Sequence, residues 1–150
     1  MYKYVGKDVK RVDGLDKVTG YMKYVDDLKM PGMLYAKIKK SPYAHAKIVR
    51  IDTSKAEALE GVKAVITGKD VPNRVGLYLE DKTFLAVDKV RFIGEPVAAV
   101  AAETPEIAEE AIDLIEVEYE ELPAVFTAMD AIKPDAPLVH ENLGEYYHGP

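Results

Sequence analysis

Histidines, paired carboxylates and serines are the side chains here that could do chemistry on their own. The 3 histidines are His45, His140 and His148. They lie far apart and form no His-x-x-x-His pair, so they read as surface or structural residues and not as ligands of a metal. The adjacent carboxylates Asp26-Asp27, Glu80-Asp81, Glu109-Glu110 and Glu120-Glu121 could in principle serve glycoside hydrolysis or hold magnesium. Each sits in a charged segment without a metal-loop pattern and reads as a solvated face. Ser41 precedes a proline and reads as a bend, and Ser54 as part of a helix start. Neither phosphate-cradling glycine pattern occurs, and Gly94-Glu95-Pro96 reads as a tight turn into a strand. With 0 cysteines, thiolate catalysis, disulfides and cysteine-held clusters are excluded from this chain. The 10 tyrosines could stack on a ligand, but the plainer reading for most is a half-buried place on a strand.

The elements that would position these groups follow from the patterning. Residues 1–30 are polar and broken by Asp13-Gly14 and Gly20, which predicts an irregular arm with one short strand. Strands are predicted at Met33–Lys39, Ala46–Asp52 and Val62–Thr67, with Ser41-Pro42 breaking the first from the second. Thr53 or Ser54 caps a short helix from Lys55 to Leu59, stopped by Gly61. Residues 68–86 read as a long excursion. Val97 to Ala102 is apolar without alternation, which predicts a strand buried on both faces. Thr104 and Pro105 open a helix whose apolar face is Ala108, Ala111, Ile112 and Ile115. Glu116–Tyr119 alternates as a strand, a short helix covers Thr127 to Ile132, and the chain loosens from Pro134. Interleaved strands and helices make the class mixed, α+β or α/β, with a mixed sheet and two main helices.

Composition narrows the function. The 150 residues suffice for one domain with a core, and 48% apolar content argues against disorder. A net charge of −6 with a pI near 5.1 argues against nucleic acid and anionic membrane as partners. No apolar run is long enough to span a bilayer, the N-terminus lacks a signal-peptide core, and a cytoplasmic location is expected.

A longer pattern carries more. Asp13-Gly14, Lys17, Thr19-Gly20, Tyr24, Asp26, Pro31-Gly32-Met33-Leu34-Tyr35, Ser41-Pro42, Ala44-His45-Ala46, Ile51-Asp52, Ser54, Ala56 and Gly61-Val62 follow in order. Asp88-Lys89-Val90-Arg91, Gly94-Glu95-Pro96-Val97-Ala98-Ala99-Val100 and Leu122-Pro123-Ala124 continue them. From about Val5 to about His140 the chain resembles the opening of the molybdenum-bearing large subunit of the xanthine dehydrogenase, aldehyde oxidase and carbon monoxide dehydrogenase family. The branch stays open.

The resemblance implies an α/β hammerhead domain at 31–133, preceded by the arm at 1–30. A C-terminal extension at 134–150 would lead to molybdenum-binding domains absent here. The tail Tyr146-Tyr147-His148-Gly149-Pro150 closes no element, which fits a truncation or a split gene product. Enzymes of the family oxidise or hydroxylate aldehydes, heteroaromatics, aryl-CoA esters or carbon monoxide with water as oxygen source. Molybdopterin-bound molybdenum takes the electrons, and iron–sulfur clusters and FAD on partner domains or subunits carry them away. No catalytic, cofactor-binding or metal residue carries over to this chain, so it is expected to be inactive alone and to act as scaffold and substrate funnel. One position transfers: Gly76-Leu77-Tyr78 resembles a Gly-Leu-Phe stretch of the xanthine dehydrogenase branch, which implies that Leu77 and Tyr78 line the substrate channel. The competing reading is a loop whose apolar residues pack on the neighbouring domain. Competing readings of the whole chain are a free-standing interaction module that kept the fold without the chemistry, and a small enzyme built on His45, His140 and nearby carboxylates.

Overall fold

The computed structural model describes residues 3–76 and 79–141. The chain divides into two compact units, Met1–Met33 and Leu34–Pro150. In the first, the short helix α1 (Gly14–Thr19) and a 3-10 turn (Val25–Asp27) bury no residue. The strand expected in this arm does not occur among its described residues. Local forces favour a helical turn instead: Arg11 and Lys17 both pair with Asp13, at 2.5 and 2.6 Å, the second pair spanning one helical turn. Gly20, at φ 74°, then caps the helix by donating its N–H to the Lys17 carbonyl.

The second unit is built on two antiparallel three-stranded sheets. Its elements are β1 (Tyr35–Lys40), β2 (Ala46–Asp52), α2 (Ser54–Glu57), β3 (Val62–Thr67), β4 (Arg74–Val75), β5 (Lys82–Thr83), β6 (Lys89–Val90), β7 (Pro96–Ala102), α3 (Pro105–Leu114), β8 (Glu116–Glu121) and α4 (Ala128–Ala131). One sheet runs β1-β7-β3 and the other β6-β2-β8; β4 and β5 form a separate hairpin. β7 lies at the centre of its sheet, with Ala99 opposite Ile38 on one side and Ile66 on the other. The Val90–Ile93 segment pairs only as far as Val90, because Arg91 to Glu95 turn back on themselves.

The helices α2 and α3 cover one face of the β7 sheet. Thr104 accepts a hydrogen bond from the Ile107 N–H and Pro105 occupies the first turn, which starts α3 as the sequence predicts. α3 then buries Ala108 and Ala111, and Ile115 follows it into a core with Ala56, Ala98 and Val100. A second cluster, Ala46, Ala86, Val90 and Val97, joins the two sheets. Two glycines are fixed by space. A Cβ on Gly68 would stand 2.2 Å from the Ala86 carbonyl oxygen. Gly61 sits at φ +88° with the Ile107 side chain 2.7 Å from where its Cβ would be.

One expectation fails in an informative way. Ala98, Val100 and Ala102 of β7 are buried under α3, but Ala99 and Ala101, on the opposite face, are only half-buried. β1 points its lysines towards the helix: Lys39 Nζ donates to the Ile112 carbonyl at 3.0 Å and Lys37 reaches Glu109. Its Ala36 and Ile38 take the other, open side.

Candidate functional site

The buried polar side chains Ser41, His45, Lys89 and Glu95 gather around three segments: the β1–β2 connection, the turn after β6, and the end of β8. Ser41 and the turn exchange backbone hydrogen bonds, the Ser41 N–H donating to the Glu95 carbonyl at 2.9 Å and the Gly94 N–H to the Ser41 carbonyl at 2.8 Å. The Ser41 hydroxyl accepts from the Tyr43 N–H at 3.0 Å, and the Tyr43 ring lies 5.2 Å from that of Tyr119. Burial pushes the Tyr119 phenol above its usual range, partly offset by its hydrogen bond with Ser41.

Glu95 holds the turn from inside. Its carboxylate accepts from the backbone N–H groups of Arg91 and Phe92. Burial raises its pKa above the ordinary value, and these hydrogen bonds and the Arg91 charge only partly offset that. The turn consequently presents Phe92 and Ile93 to solvent.

His45 is 5% exposed and closes the other side. Its Nδ1 lies 2.7 Å from the Pro123 carbonyl, and its own carbonyl accepts from the Leu122 N–H at 2.9 Å. Because a carbonyl only accepts, Nδ1 carries the proton. Nε2 is buried and has no hydrogen-bond partner among the described residues.

Charged groups flank this knot. Lys89, also buried, pairs with Glu141 at 2.5 Å, and Arg91 donates to the Lys89 carbonyl at 3.0 Å. Burial and the nearby Arg91 charge lower the pKa of His140 below its ordinary value, which Asp81 and Glu141 partly offset. A polar cleft of about 270 Å³, lined by Pro72, Arg74, Asp81, Thr83, Asp88 and Arg91, opens beside the β4–β5 hairpin.

No three metal-ligating side chains come together among the described residues. His45 Nδ1 and the Glu95 carboxylate already serve backbone partners. Asp26-Asp27 and Glu109-Glu110 are exposed and Glu120-Glu121 stand at the end of β8, but Glu80-Asp81, expected on a solvated face, is half-buried, with Asp81 lining the polar cleft. Leu77 and Tyr78, the channel-lining residues implied by the resemblance, lie outside the described residues, in the connection from β4 to β5. Sequence reasoning took Ser41, His45 and Glu95 one at a time as bend, structural histidine and turn. It missed that they form one knot. The shared signal was that Ser41-Pro42 and Gly94-Glu95-Pro96 both interrupt the regular pattern beside apolar strands.

No described helix is long and apolar enough to cross a membrane. The chain matches the family model of the aldehyde oxidase and xanthine dehydrogenase a/b hammerhead domain over residues 19–123. It is 52% identical over 134 residues to a probable xanthine dehydrogenase component of Bacillus subtilis, covering 88% of this chain and 18% of that protein. It is 44% identical over 141 residues to the nicotinate dehydrogenase large molybdopterin subunit of Eubacterium barkeri, covering 93% of this chain and 33% of that one. Among solved structures, the Cu,Mo-containing CO dehydrogenase superposes with a TM-score of 0.86 at 42% identity, covering 92% of this chain and 18% of that chain. The chain thus spans between 18% and 33% of the length of these relatives. The fold is of the mixed helix-and-sheet class expected from the sequence, with its sheets antiparallel, and the chain belongs to the aldehyde oxidase and xanthine dehydrogenase a/b hammerhead domain family.

Proposed function

We propose that this chain serves as the scaffold and substrate-funnel domain of a molybdenum hydroxylase large subunit. In this reading it performs no chemistry alone. Molybdopterin, iron–sulfur clusters and FAD belong to the complete cytoplasmic complex, whose other domains and subunits are its partners. Residues 134–150 lead on towards the molybdenum-binding domains. The observation that carries the reading is the engagement of the two buried groups best suited to catalysis: His45 and Glu95 both hold backbone in place. They tie down two of the segments through which the sequence resembles the family, a use that fits a scaffold. Leu77 and Tyr78 would line the funnel, a role supported by their place in the Gly76-Leu77-Tyr78 stretch.

A tag on this segment in the native host tests the proposal. Purification should recover a polypeptide carrying molybdenum, with iron–sulfur and flavin partners. A purified protein with none of these would overturn it and favour the free-standing interaction module.

A further inference from the structure

Among the described residues of the second unit β7 has no second cover, which points to a docking face. Strands of an antiparallel sheet with a solvated face alternate apolar and polar side chains. The outward row of this sheet does not alternate. Ala36 and Ile38 of β1, Ala99 and Ala101 of β7, and Ala64 and Ile66 of β3 form one open apolar surface, with Ile38 48% and Ile66 38% exposed. In a chain with 31% charged residues, none of these six is charged. β1 is inverted relative to an ordinary edge strand, with its lysines towards α3 and its apolar residues outwards. The shape is as particular as the polarity. Ala99 and Ala101 form a floor of methyl groups between Ile38 and Ile66, which stand two strand spacings, or about 10 Å, apart. That trough takes one ridge of apolar side chains.

We infer that this trough seats an uncharged, apolar ridge from the remainder of the same polypeptide. The inference rests on the proposed function, in which this segment is part of a large subunit. Area argues for a covalently attached occupant over a second copy. Two residues along each of three strands make a patch of about 200 Å², far below the roughly 800 Å² per partner of a standard intermolecular interface. An attached segment loses no translational freedom on docking, so a small patch suffices for it. The relatives carry such additional chain, since this one covers 18% of the Bacillus subtilis protein.

The chain has no cysteine, so a single substitution gives a probe within it. In the enzyme purified from the host, Ile66→Cys should react with a maleimide about tenfold or more slowly than Glu110→Cys on the exposed side of α3, read from the labelled peptides by mass spectrometry. Both positions should label fully after denaturation. Equal rates in the native enzyme would overturn the inference. The same preparation's molybdenum content separates the two failures: molybdenum with a reactive Ile66→Cys rejects the docking face alone, whereas a preparation without molybdenum rejects the functional reading. Slow labelling that becomes fast on dilution would identify a second copy as the cover and also overturn the inference.

Discussion

His45 and Pro123, 78 residues apart, are joined by a hydrogen bond of 2.7 Å from the imidazole Nδ1 to the backbone carbonyl. The bond fixes the histidine tautomer and fastens the β1–β2 connection to the chain leaving β8. Proline donates no N–H, so its carbonyl is the group at that residue through which the backbone can be held.

His45→Ala should therefore destabilise the domain by about 2–4 kcal/mol, through the cavity and the unsatisfied Pro123 carbonyl. His45→Asn, whose amide can donate to the same carbonyl, should recover about 1 kcal/mol of that loss. Urea denaturation of the three proteins measures both. Equal losses in the two variants would show that ring packing, not the hydrogen bond, is what matters.

Glu95 predicts a pH dependence. Its pKa in the fold is raised above the ordinary 4.5, so the folded state favours the protonated acid. Its contribution is fully present below pH 4.5 and is lost as pH rises through the raised value. The stability of the native protein relative to Glu95→Gln should decline over that window and then level off. A flat difference across a denaturation series from acid to neutral pH would contradict the assignment.

Gly68 and Gly61 should differ when replaced by alanine. At Gly68 the new methyl group meets the Ala86 backbone oxygen, which cannot move without dragging the second core cluster, so a loss of about 3 kcal/mol is expected. At Gly61 the neighbour is the end of the flexible Ile107 side chain, and a positive φ costs alanine about 1–2 kcal/mol. Thermal melts should rank Gly68→Ala as the more severe.

The isolated chain should unfold in one cooperative transition and bind neither molybdenum nor pterin, because His45 and the buried Glu95 are committed to backbone partners. Metal analysis after dialysis is the check; stoichiometric molybdenum would contradict the scaffold role.

Tyr78→Ala in the complete enzyme should alter the ratio of kcat/KM between a small and a bulky substrate about fivefold or more while leaving the melting temperature nearly unchanged. Unaltered ratios across several substrates would remove Tyr78 from the funnel.

Much of this fold is written in local pattern. β2 and β3 occupy Ala46–Asp52 and Val62–Thr67 as their sequences predict, and Thr104-Pro105 opens α3 where capping chemistry places it. The pairing is not written there. Nothing in the alternation of Tyr35–Lys40 says that its neighbour is a strand roughly 60 residues later. The knot was opaque for the same reason: Ser41 and Glu95 meet only because β1 and β7 pair, and a pairing partner is a property of two segments that no window on one of them contains. The arm misled because the turn signals at Gly14 and Gly20 mark the ends of a helix as well as they mark a loop.

The strand order also dictates when this domain can exist. Apart from the small β4–β5 hairpin, no strand pairs with its neighbour in sequence: β1 and β3 both await β7, and β2 awaits β6 and β8. A nascent chain made only as far as Thr67 holds three strands with no partner among themselves. Neither large sheet can begin to zip until Lys89 has left the ribosome, and β2 is not flanked on both sides until Glu121 has. Folding is thereby postponed to the end of synthesis of this segment and is slowed by long loop closures. In the interval the three unpaired strands leave apolar side chains and strand edges open to misassociation.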